Sequence, residues 1–277
     1  MRSHWSGRRF LCFALLTATL LPGCRIEESL IFHPDRIVSR NPSDIGMAFD
    51  DVFFRTQDGL WLHGWFIPHN EAKSTLLWFH GNAGNVSHRL LNIKLLHEHI
   101  KTHIFIFDYR GYGHSEGTPS EEGTYLDGTA AMHYLRERPE AGAPRIVLFG
   151  RSLGAAVAAE MALRFNTRGL ILESPFVSVP EMARVIFPVL PLAALLRTRY
   201  DIVGKVRKIK TPLLVLHGER DEIVPFEHGK KVFEAAPQPK AFHIISGASH
   251  NDTFVLGGKE YFQKLANFIE SVSENRQ

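Results

Sequence analysis

The stretch RIVLFGRSLGAAVAAE at residues 145–160 decides the fold predicted for this chain. It joins a continuous apolar run, residues 146–149, to a segment rich in small residues, and Gly150-Arg151-Ser152-Leu153-Gly154 lies between the two. A continuous apolar run is typical of a strand that is buried on both faces of a parallel sheet. The small residues after it favour a helix that packs close to that sheet. The stretch therefore predicts a strand, a sharp turn bearing Ser152, and a helix.

Similar segments repeat along the rest of the chain. Apolar runs, each predicting a buried strand, occupy residues 75–79, 103–107, 169–172, 212–216 and 241–245. Amphipathic helical stretches lie between most of them, at residues 86–99, 121–138, 155–165 and 227–236. This alternation predicts an α/β fold with a mostly parallel central sheet and helices on both faces. Before it, Asp58-Gly59 separates runs 51–55 and 60–67, which predicts a hairpin forming an antiparallel edge.

Residues 176–210 interrupt the alternation, because they contain no evident strand. Their apolar part, residues 185–196, is broken by Pro188 and Pro191. Two interpretations stay open: a small helical cap inserted into the fold, and an ordinary crossover helix buried against the sheet. The two prolines and the length slightly favour the cap.

The N-terminus has the pattern of an export signal. Three arginines precede an apolar run at residues 10–21, which is shorter than the roughly 20 residues of a membrane-spanning helix. Leu21-Pro22-Gly23-Cys24 then resembles the lipobox of bacterial lipoproteins, in which the cysteine is lipidated and becomes the mature N-terminus. We predict a lipoprotein signal peptide at 1–23, a membrane-to-domain tether at 24–46 and one folded domain at 47–277. The alternative is an uncleaved signal anchor.

Composition is ordinary for a soluble globular protein, with 44% hydrophobic and 22% charged residues among 277. Residues 1–23 hold three arginines and no acids, so their removal takes the net charge from +3 to zero. No basic stripe with interleaved aromatics remains, which argues against a nucleic-acid partner. The only cysteines are Cys12 and Cys24, so the processed chain would have no disulfide, cysteine nucleophile or cysteine-based zinc site.

Two serines match the pattern G-x-S-x-G, and their contexts separate them. Ser152 follows a predicted strand and precedes a predicted helix, the setting in which this motif presents a nucleophile. Ser115 lies in Gly113-His114-Ser115-Glu116-Gly117, a glycine-rich stretch with no helix directly after it. We therefore assign the nucleophile to Ser152.

A serine hydroxyl needs a base to take its proton, and the base needs a group that holds its tautomer. With the chain order nucleophile, acid, base, Asp221 after the run 212–216 is the predicted acid, with Glu219, Glu222 and Glu173 as rivals. The chain has 15 histidines, but His250 alone follows the last strand in a loop of small residues. We predict His250 as the general base.

A tetrahedral intermediate also needs two N–H donors aimed at its oxyanion. One predicted donor is the backbone amide of Leu153, directly after the nucleophile. The other should come from the loop His80-Gly81-Asn82-Ala83-Gly84-Asn85, where Asn82 is preferred and Ala83 is next. Taken alone, such a loop would indicate only a tight turn.

Together these segments resemble the α/β-hydrolase superfamily. Residues 79–85 (FHGNAGN), 107–117 (FDYRGYGHSEG) and 172–176 (LESPF) resemble the branch that contains membrane-associated depalmitoylating hydrolases and uncharacterised bacterial homologues. The resemblance implies the α/β-hydrolase fold for 47–277, hydrolysis of an ester, thioester or amide by acyl transfer, and no cofactor or metal. It also implies that residues 108–113 form a structural loop beside the active site.

Three functions follow as hypotheses. The first is a serine hydrolase (an esterase, lipase or thioesterase) that acts on a small-molecule or lipid-like acyl substrate. A lipidated Cys24 would hold it at the periplasmic face of the bacterial cell envelope, and the sequence indicates no obligate protein partner. The second is a serine aminopeptidase or amidase, for which Glu173 is the evident candidate to hold a substrate amine. The third is a non-enzymatic binding lipoprotein, which would have no need for the complete Ser, Asp and His set.

Overall fold

An eight-stranded sheet forms the centre of the molecule. The computed structural model describes residues 27–141, 145–189 and 191–274. The strands of this sheet are β1 (Asp50–Arg55), β2 (Trp61–Ile67), β3 (Thr75–Phe79), β4 (His103–Phe107), β5 (Ile146–Arg151), β6 (Gly169–Glu173), β7 (Leu213–Gly218) and β8 (Lys240–Ile245). Their spatial order is β8-β7-β6-β5-β3-β4-β2-β1.

The sheet is parallel except at one edge. β2 runs antiparallel to both β1 and β4, while every other pairing in this sheet is parallel. The predicted hairpin and the predicted α/β-hydrolase fold are therefore confirmed. The antiparallel pair is a hairpin because only a short turn joins its strands, whereas parallel neighbours need a crossover.

Helices cover both faces of the sheet. They are α1 (Leu90–His99), α2 (Glu121–Glu137), α3 (Leu153–Arg164), α4 (Val179–Ile186), α5 (Ile202–Val206), α6 (Phe226–Ala235), α7 (Thr253–Leu256) and α8 (Gly258–Glu274). Strand alternation divides the core: Leu77 of β3 packs with Val157 of α3 on one face, and Trp78 packs with Ile93 of α1 on the other. All four side chains are fully buried, so both faces of β3 are covered.

The segment before the hairpin is packed on the domain. Residues 27–46 were predicted as part of a tether, yet Phe32 is buried in the core and Pro42 is buried at a 3-10 turn, Pro42–Ile45. His33–Pro34 pairs in parallel with Ala83–Gly84, the loop that follows β3. The described N-terminus therefore contacts a loop of the candidate site directly.

The connection from β6 to β7 has two parts. Its first part holds α4 and the 3-10 turn Pro191–Ala194, which pack against each other. Its second part, α5, packs on α3 and α6, with Ile202 and Val206 fully buried. Features of both interpretations are present, because α4 lies at the surface and α5 lies in the core; the boundaries predicted for a cap stay a prediction.

Candidate active site

Ser152 lies on a strained turn between β5 and α3. Its φ is 52° and its ψ is −117°, a backbone conformation that residues other than glycine rarely adopt. Glycine on each side lets the chain turn this tightly. A Cβ on Gly150 would lie 2.4 Å from the carbonyl oxygen of Gly154, and one on Gly154 would lie 2.0 Å from that of Phe79. The glycines of G-x-S-x-G are thus required by close backbone contacts on both sides of the turn.

Asp221 and His250 form a hydrogen-bonded pair in loops after β7 and β8. Nδ1 of His250 lies 2.8 Å and 3.0 Å from the two carboxylate oxygens of Asp221. The N–H groups of Ile223 and Val224 also donate to Asp221, at 3.1 Å and 2.8 Å. Burial by itself raises the pKa of Asp221, but the hydrogen bond and charge of His250 outweigh it and hold the pKa below its ordinary value. An ionised Asp221 is the form that can orient an imidazole.

The two neighbouring glutamates support the histidine loop and do not contact the imidazole. Glu222 accepts the backbone N–H of His250 at 3.1 Å. Glu219 accepts from the hydroxyl of Ser246 at 2.9 Å and from the N–H of Gly247 at 3.0 Å. The geometry therefore favours Asp221 over both rivals as the partner of His250.

Glu173 is buried and fully engaged behind the site. It accepts from the hydroxyls of Thr253 at 2.5 Å and Tyr261 at 2.6 Å, and its oxygen lies 3.3 Å from Nε of Arg151. Arg151 in turn donates through Nη2 to the carbonyl oxygen of His250 at 2.5 Å. This chain of contacts links the residue before Ser152 to the loop that carries His250.

Sequence reasoning missed the role of Arg151. It occupies a variable position of G-x-S-x-G, where the motif itself sets no requirement. In the structure Arg151 lies opposite Glu173, the last residue of β6. In the sequence each of these two charged residues lies just after an apolar run, and this placement was the signal that could have indicated their pairing. Parallel pairing of β5 with β6 brings a buried cation and a buried anion together at the carboxyl edge of the sheet.

The loop after β3 approaches the nucleophile closely. A Cβ on Gly81 would lie 3.6 Å from Cβ of Ser152. The carbonyl oxygen of Asn82 accepts from the hydroxyl of Tyr112 at 2.7 Å and from the N–H of His33, and its side chain donates to the carbonyl of Ile31 at 2.9 Å. Among the described residues, no acceptor is bound to the backbone N–H of Asn82.

Leu153 is the first residue of α3, directly after the turn. The first amides of a helix have no acceptor within the helix, and they favour negative charge. The two predicted oxyanion donors thus lie on separate elements, the start of α3 and the loop after β3. Gly81 brings that loop next to Ser152, so the two elements meet at the turn.

Ser115 has a structural environment. Its hydroxyl is completely buried, donates to the carbonyl oxygen of Asp108 at 2.7 Å and accepts the N–H of His63 at 2.9 Å. The Asp108 carboxylate accepts the N–H of Val86 at 2.9 Å and lies 3.5 Å from Nε2 of His80. Burial raises the pKa of Asp108, but the neighbouring imidazoles of His63 and His80 hold it below its ordinary value. The Ser115 hydroxyl therefore links its own loop to His63 of β2, and it is not accessible to a substrate.

The predicted site residues gather at one edge of the sheet. Ser152, Asp221, His250 and Asn82 each follow the carboxyl end of a different parallel strand, namely β5, β7, β8 and β3. This edge is where open α/β sheets bind their ligands. The predicted lipidation site, Cys24, lies outside the described residues. Within those residues, no helix combines the length and hydropathy that a membrane crossing requires.

This fold and the comparisons with known proteins establish that the chain belongs to the α/β-hydrolase superfamily. A family model for the alpha/beta hydrolase fold matches residues 74–195, and one for serine aminopeptidase, S33, matches residues 190–254. The sequence is 34% identical to the alpha/beta hydrolase domain-containing protein WAV2 of Arabidopsis thaliana, over 91% of this chain and 90% of WAV2. It is 35% identical to protein bem46 of Schizosaccharomyces pombe, over 82% of this chain and 79% of bem46.

A solved structure shares the same architecture. The esterase Pf2001 of Pyrococcus furiosus superimposes with a TM-score of 0.72 at 24% identity, covering 86% of this chain and 98% of the esterase. At this identity the likeness shows the fold alone, so a function has to be argued from the site.

Proposed function

We propose that the protein is a serine hydrolase that cleaves a carboxylic ester or thioester through an acyl-enzyme intermediate. The observation that supports this most is the Asp221–His250 pair, with Nδ1 at 2.8 Å from the carboxylate, at the sheet edge that also bears the strained Ser152. A turn strained at one serine is typical of a site where the strain serves function.

The pair assigns a role to each imidazole nitrogen. Nδ1–H donates to the ionised Asp221, which leaves Nε2 as the base. In the proposed reaction, Nε2 takes the proton of the Ser152 hydroxyl while its oxygen attacks the acyl carbon. The imidazolium then gives that proton to the leaving alcohol or thiol, and an acyl-Ser152 ester remains. Water, deprotonated by the same nitrogen, attacks this ester, releases the carboxylic acid and restores the hydroxyl.

The oxyanion of each tetrahedral intermediate would be stabilised by two backbone amides. Leu153 at the start of α3 and Asn82 in the loop after β3 are the proposed donors. Losing one such donor typically costs about 3 kcal/mol of transition-state stabilisation. The carbonyl of Gly81, in the same peptide group as the Asn82 N–H, lies 2.7 Å from Nδ1 of His80. The carbonyl of Asn82, in the next peptide group, accepts from Tyr112 and His33, so both peptide groups around Asn82 are held in place before substrate arrives.

An aminopeptidase is the second candidate, because a serine aminopeptidase family model matches residues 190–254. This function wants a carboxylate near the nucleophile to hold the substrate amine. Glu173 cannot serve in that way, because it is completely buried and already bound to Thr253, Tyr261 and Arg151. This engagement favours ester or thioester cleavage.

The proposed location is the periplasmic face of the bacterial cell envelope, with a lipidated Cys24 as the anchor. The support is the sequence Leu21-Pro22-Gly23-Cys24 after an apolar run. Incorporation of labelled palmitate by the wild type but not by Cys24→Ser would support the anchor, and equal incorporation would refute it.

The catalytic proposal is tested with two serine variants that separate chemistry from structure. Ser152→Ala should lose both fluorophosphonate labelling and p-nitrophenyl ester turnover and should unfold at the same temperature as the wild type or higher. Ser115→Ala should keep the label but unfold at a lower temperature, because it leaves the buried N–H of His63 without an acceptor. A wild-type protein that neither labels nor hydrolyses any ester would refute the proposal and favour a binding protein.

A further inference from the structure

An exposed apolar face lies on the connection between β6 and β7. It consists of Val185, Ile186, Phe187, Val189 and Leu195, and we call it the apolar face. Val189 is 88% exposed and Leu195 is 75% exposed. Isolated apolar residues at a surface are ordinary, but a cluster of large ones marks an interaction site.

Packing of the connection does not require this face to be apolar. Val179 and Met182 of α4 already pack against the core, and Pro180 is buried. Val185 and Ile186 lie on the exposed side of the same short helix. The helix is thus apolar both toward the core and toward the outside, so the outward residues need a reason other than folding.

The first described residues of the chain are hydrogen-bonded to the segment that directly follows the apolar face. The carboxylate of Glu27 accepts the backbone N–H groups of Arg197, at 3.0 Å, and Thr198, at 2.7 Å, just after Leu195. Phe32 packs edge-on against Tyr200, with ring centroids 6.4 Å apart. Leu30, 64% exposed, lies on the same N-terminal turn. The chain therefore enters the fold beside the apolar face.

Chain length then limits how far this face can be from the proposed anchor. Cys24 precedes Glu27 by three residues. Three fully extended residues span at most ~10 Å. If Cys24 holds the protein in a bilayer, as the proposed function states, Glu27 must lie within about that distance of the lipid surface. The region around Arg197 and the neighbouring apolar face then turns toward the membrane.

We infer that the apolar face contacts a lipid bilayer at the level of the headgroups and the upper acyl chains. Exposed arginines lie around it, namely Arg199 after the 3-10 turn and Arg184 on α4, which pairs with Glu181. Such arginines favour the anionic headgroups of bacterial membranes. This arrangement resembles interfacial helices, whose apolar side enters a bilayer by about 5–10 Å while cationic side chains stay at its surface. The β6–β7 connection begins at the sheet edge of the candidate site, so the contact would place that site next to the lipid.

The test uses the full chain in phospholipid vesicles with an environment-sensitive fluorophore at one engineered cysteine. Cys24 stays for the anchor and has no free thiol once it is lipidated, and Cys12→Ser removes the other thiol from any chain that keeps residues 1–23. The probe is attached to Val189→Cys, and the acyl chains carry a doxyl quencher. We expect the fluorescence to fall by roughly twofold or more, since a probe at this depth meets the quencher directly.

The matched control is Leu163→Cys near the C-terminal end of α3. Leu163 is also exposed, and it lies about 15 Å along the helix from the turn bearing Ser152, toward the opposite edge of the sheet. Its fluorescence should not respond to the quencher. Equal quenching at both positions would show nonspecific adsorption and overturn the inference. No quenching at Val189→Cys would also overturn it, and would point to a second copy or another protein on this face.

Turnover of a water-soluble p-nitrophenyl ester separates this inference from the proposed function. Both labelled variants should match the wild type, because neither position touches Ser152, Asp221 or His250. An active, unquenched Val189→Cys would overturn only the membrane contact. A quenched protein whose wild type shows no hydrolase activity would refute only the proposed reaction.

Discussion

Replacing Glu173 by glutamine tests whether the contacts behind the site position the histidine loop. The change keeps the size of the side chain but removes its charge and one of its two acceptor oxygens. Three groups converge on the present carboxylate: the hydroxyls of Thr253 and Tyr261 donate hydrogen bonds to it, and Nε of Arg151 lies 3.3 Å from it in an ion pair. A glutamine has one acceptor oxygen and adds an NH₂ donor, so it cannot satisfy all three.

The largest part of the expected loss in unfolding free energy comes from leaving the buried Arg151 cation without its anionic partner. The Arg151 side chain is only 9% exposed and would lose its carboxylate partner. Breaking a buried pair by removing one partner costs about 3–5 kcal/mol. We expect the lower end, ~3 kcal/mol, because Arg151 still donates to the carbonyl of His250. For a domain of this size, that corresponds to a fall in Tm of roughly 6–12 °C.

Activity should fall more than the loss of folded protein explains. Thr253 follows His250 by three residues, and Arg151 donates to the carbonyl of His250, so a rearranged Arg151 would shift the imidazole. A loss of ~1.4 kcal/mol in transition-state stabilisation lowers kcat about tenfold. The measurements are thermal unfolding, followed by kcat and KM for a p-nitrophenyl ester at a temperature where the variant is folded. We expect kcat to change and KM to remain near its original value.

Glu71→Gln is the matched control, because it makes the same chemical change in an exposed pair with Lys101. It should alter neither Tm nor kcat measurably, since exposed ion pairs contribute little. If Glu173→Gln unfolds at the wild-type temperature, or if its kcat equals that of the control, then the Glu173–Arg151 contacts do not position His250.

Four further substitutions probe the turn, the acid and the neighbouring loop. Ser152→Gly should abolish turnover yet raise stability by about 1 kcal/mol, because glycine relieves the strain of φ 52°; an unchanged Tm would contradict this. Asp221→Asn should lower the free energy of unfolding most above pH 3.8, and its difference from the wild type should shrink as the pH falls through the lowered pKa of Asp221. If urea titrations gave the same difference in unfolding free energy at every pH, the coupling of stability to the ionisation of Asp221 would be refuted. Gly154→Ala should prevent stable folding, because its Cβ would lie 2.0 Å from the carbonyl of Phe79. Gly81→Ala should fold, because its Cβ would lie 3.6 Å from Ser152, but it should lower turnover by crowding the approach to the nucleophile. If Gly81→Ala melted at a lower temperature than Gly154→Ala, the close-packing argument would be refuted.

The sequence predicted the elements of the fold well, because the parallel strands are continuous apolar runs. The run 75–79 is the strand Thr75–Phe79, and the run 103–107 is the strand His103–Phe107. Strand ends were less well predicted. β5 extends to Arg151 and β6 to Glu173, since charged residues end an apolar run but can still pair in a ladder when they face each other.

For the candidate site, local sequence chose between the two G-x-S-x-G matches through their neighbouring elements. It preferred Asp221 as the partner of His250, with Glu219, Glu222 and Glu173 as rivals, and it also offered Glu173 as a possible amine-binding carboxylate. The structure distinguishes them by hydrogen bonds: Glu219 and Glu222 accept backbone N–H groups of the histidine loop, and Glu173 accepts from the hydroxyls of Thr253 and Tyr261. Which carboxylate forms a hydrogen bond with the His250 imidazole depends on the conformation of the loops, and the residue types alone do not determine that conformation.

By itself, the sequence determined what is local or periodic in this protein: the order of strands and helices, the glycines that permit the turn at Ser152, and the apolar run followed by Cys24. These depend on neighbours within a few residues, whose conformational preferences are short-range. Tertiary structure alone decided that Arg151 joins Glu173 to the carbonyl of His250, that Ser115 is buried, and that Glu27 fastens the N-terminus beside the apolar face. The contacts of Thr253 with Glu173, of Arg151 with His250 and of Glu27 with Arg197 join residues 80 to 170 positions apart. The first two form only when the parallel sheet brings its strand ends to one edge.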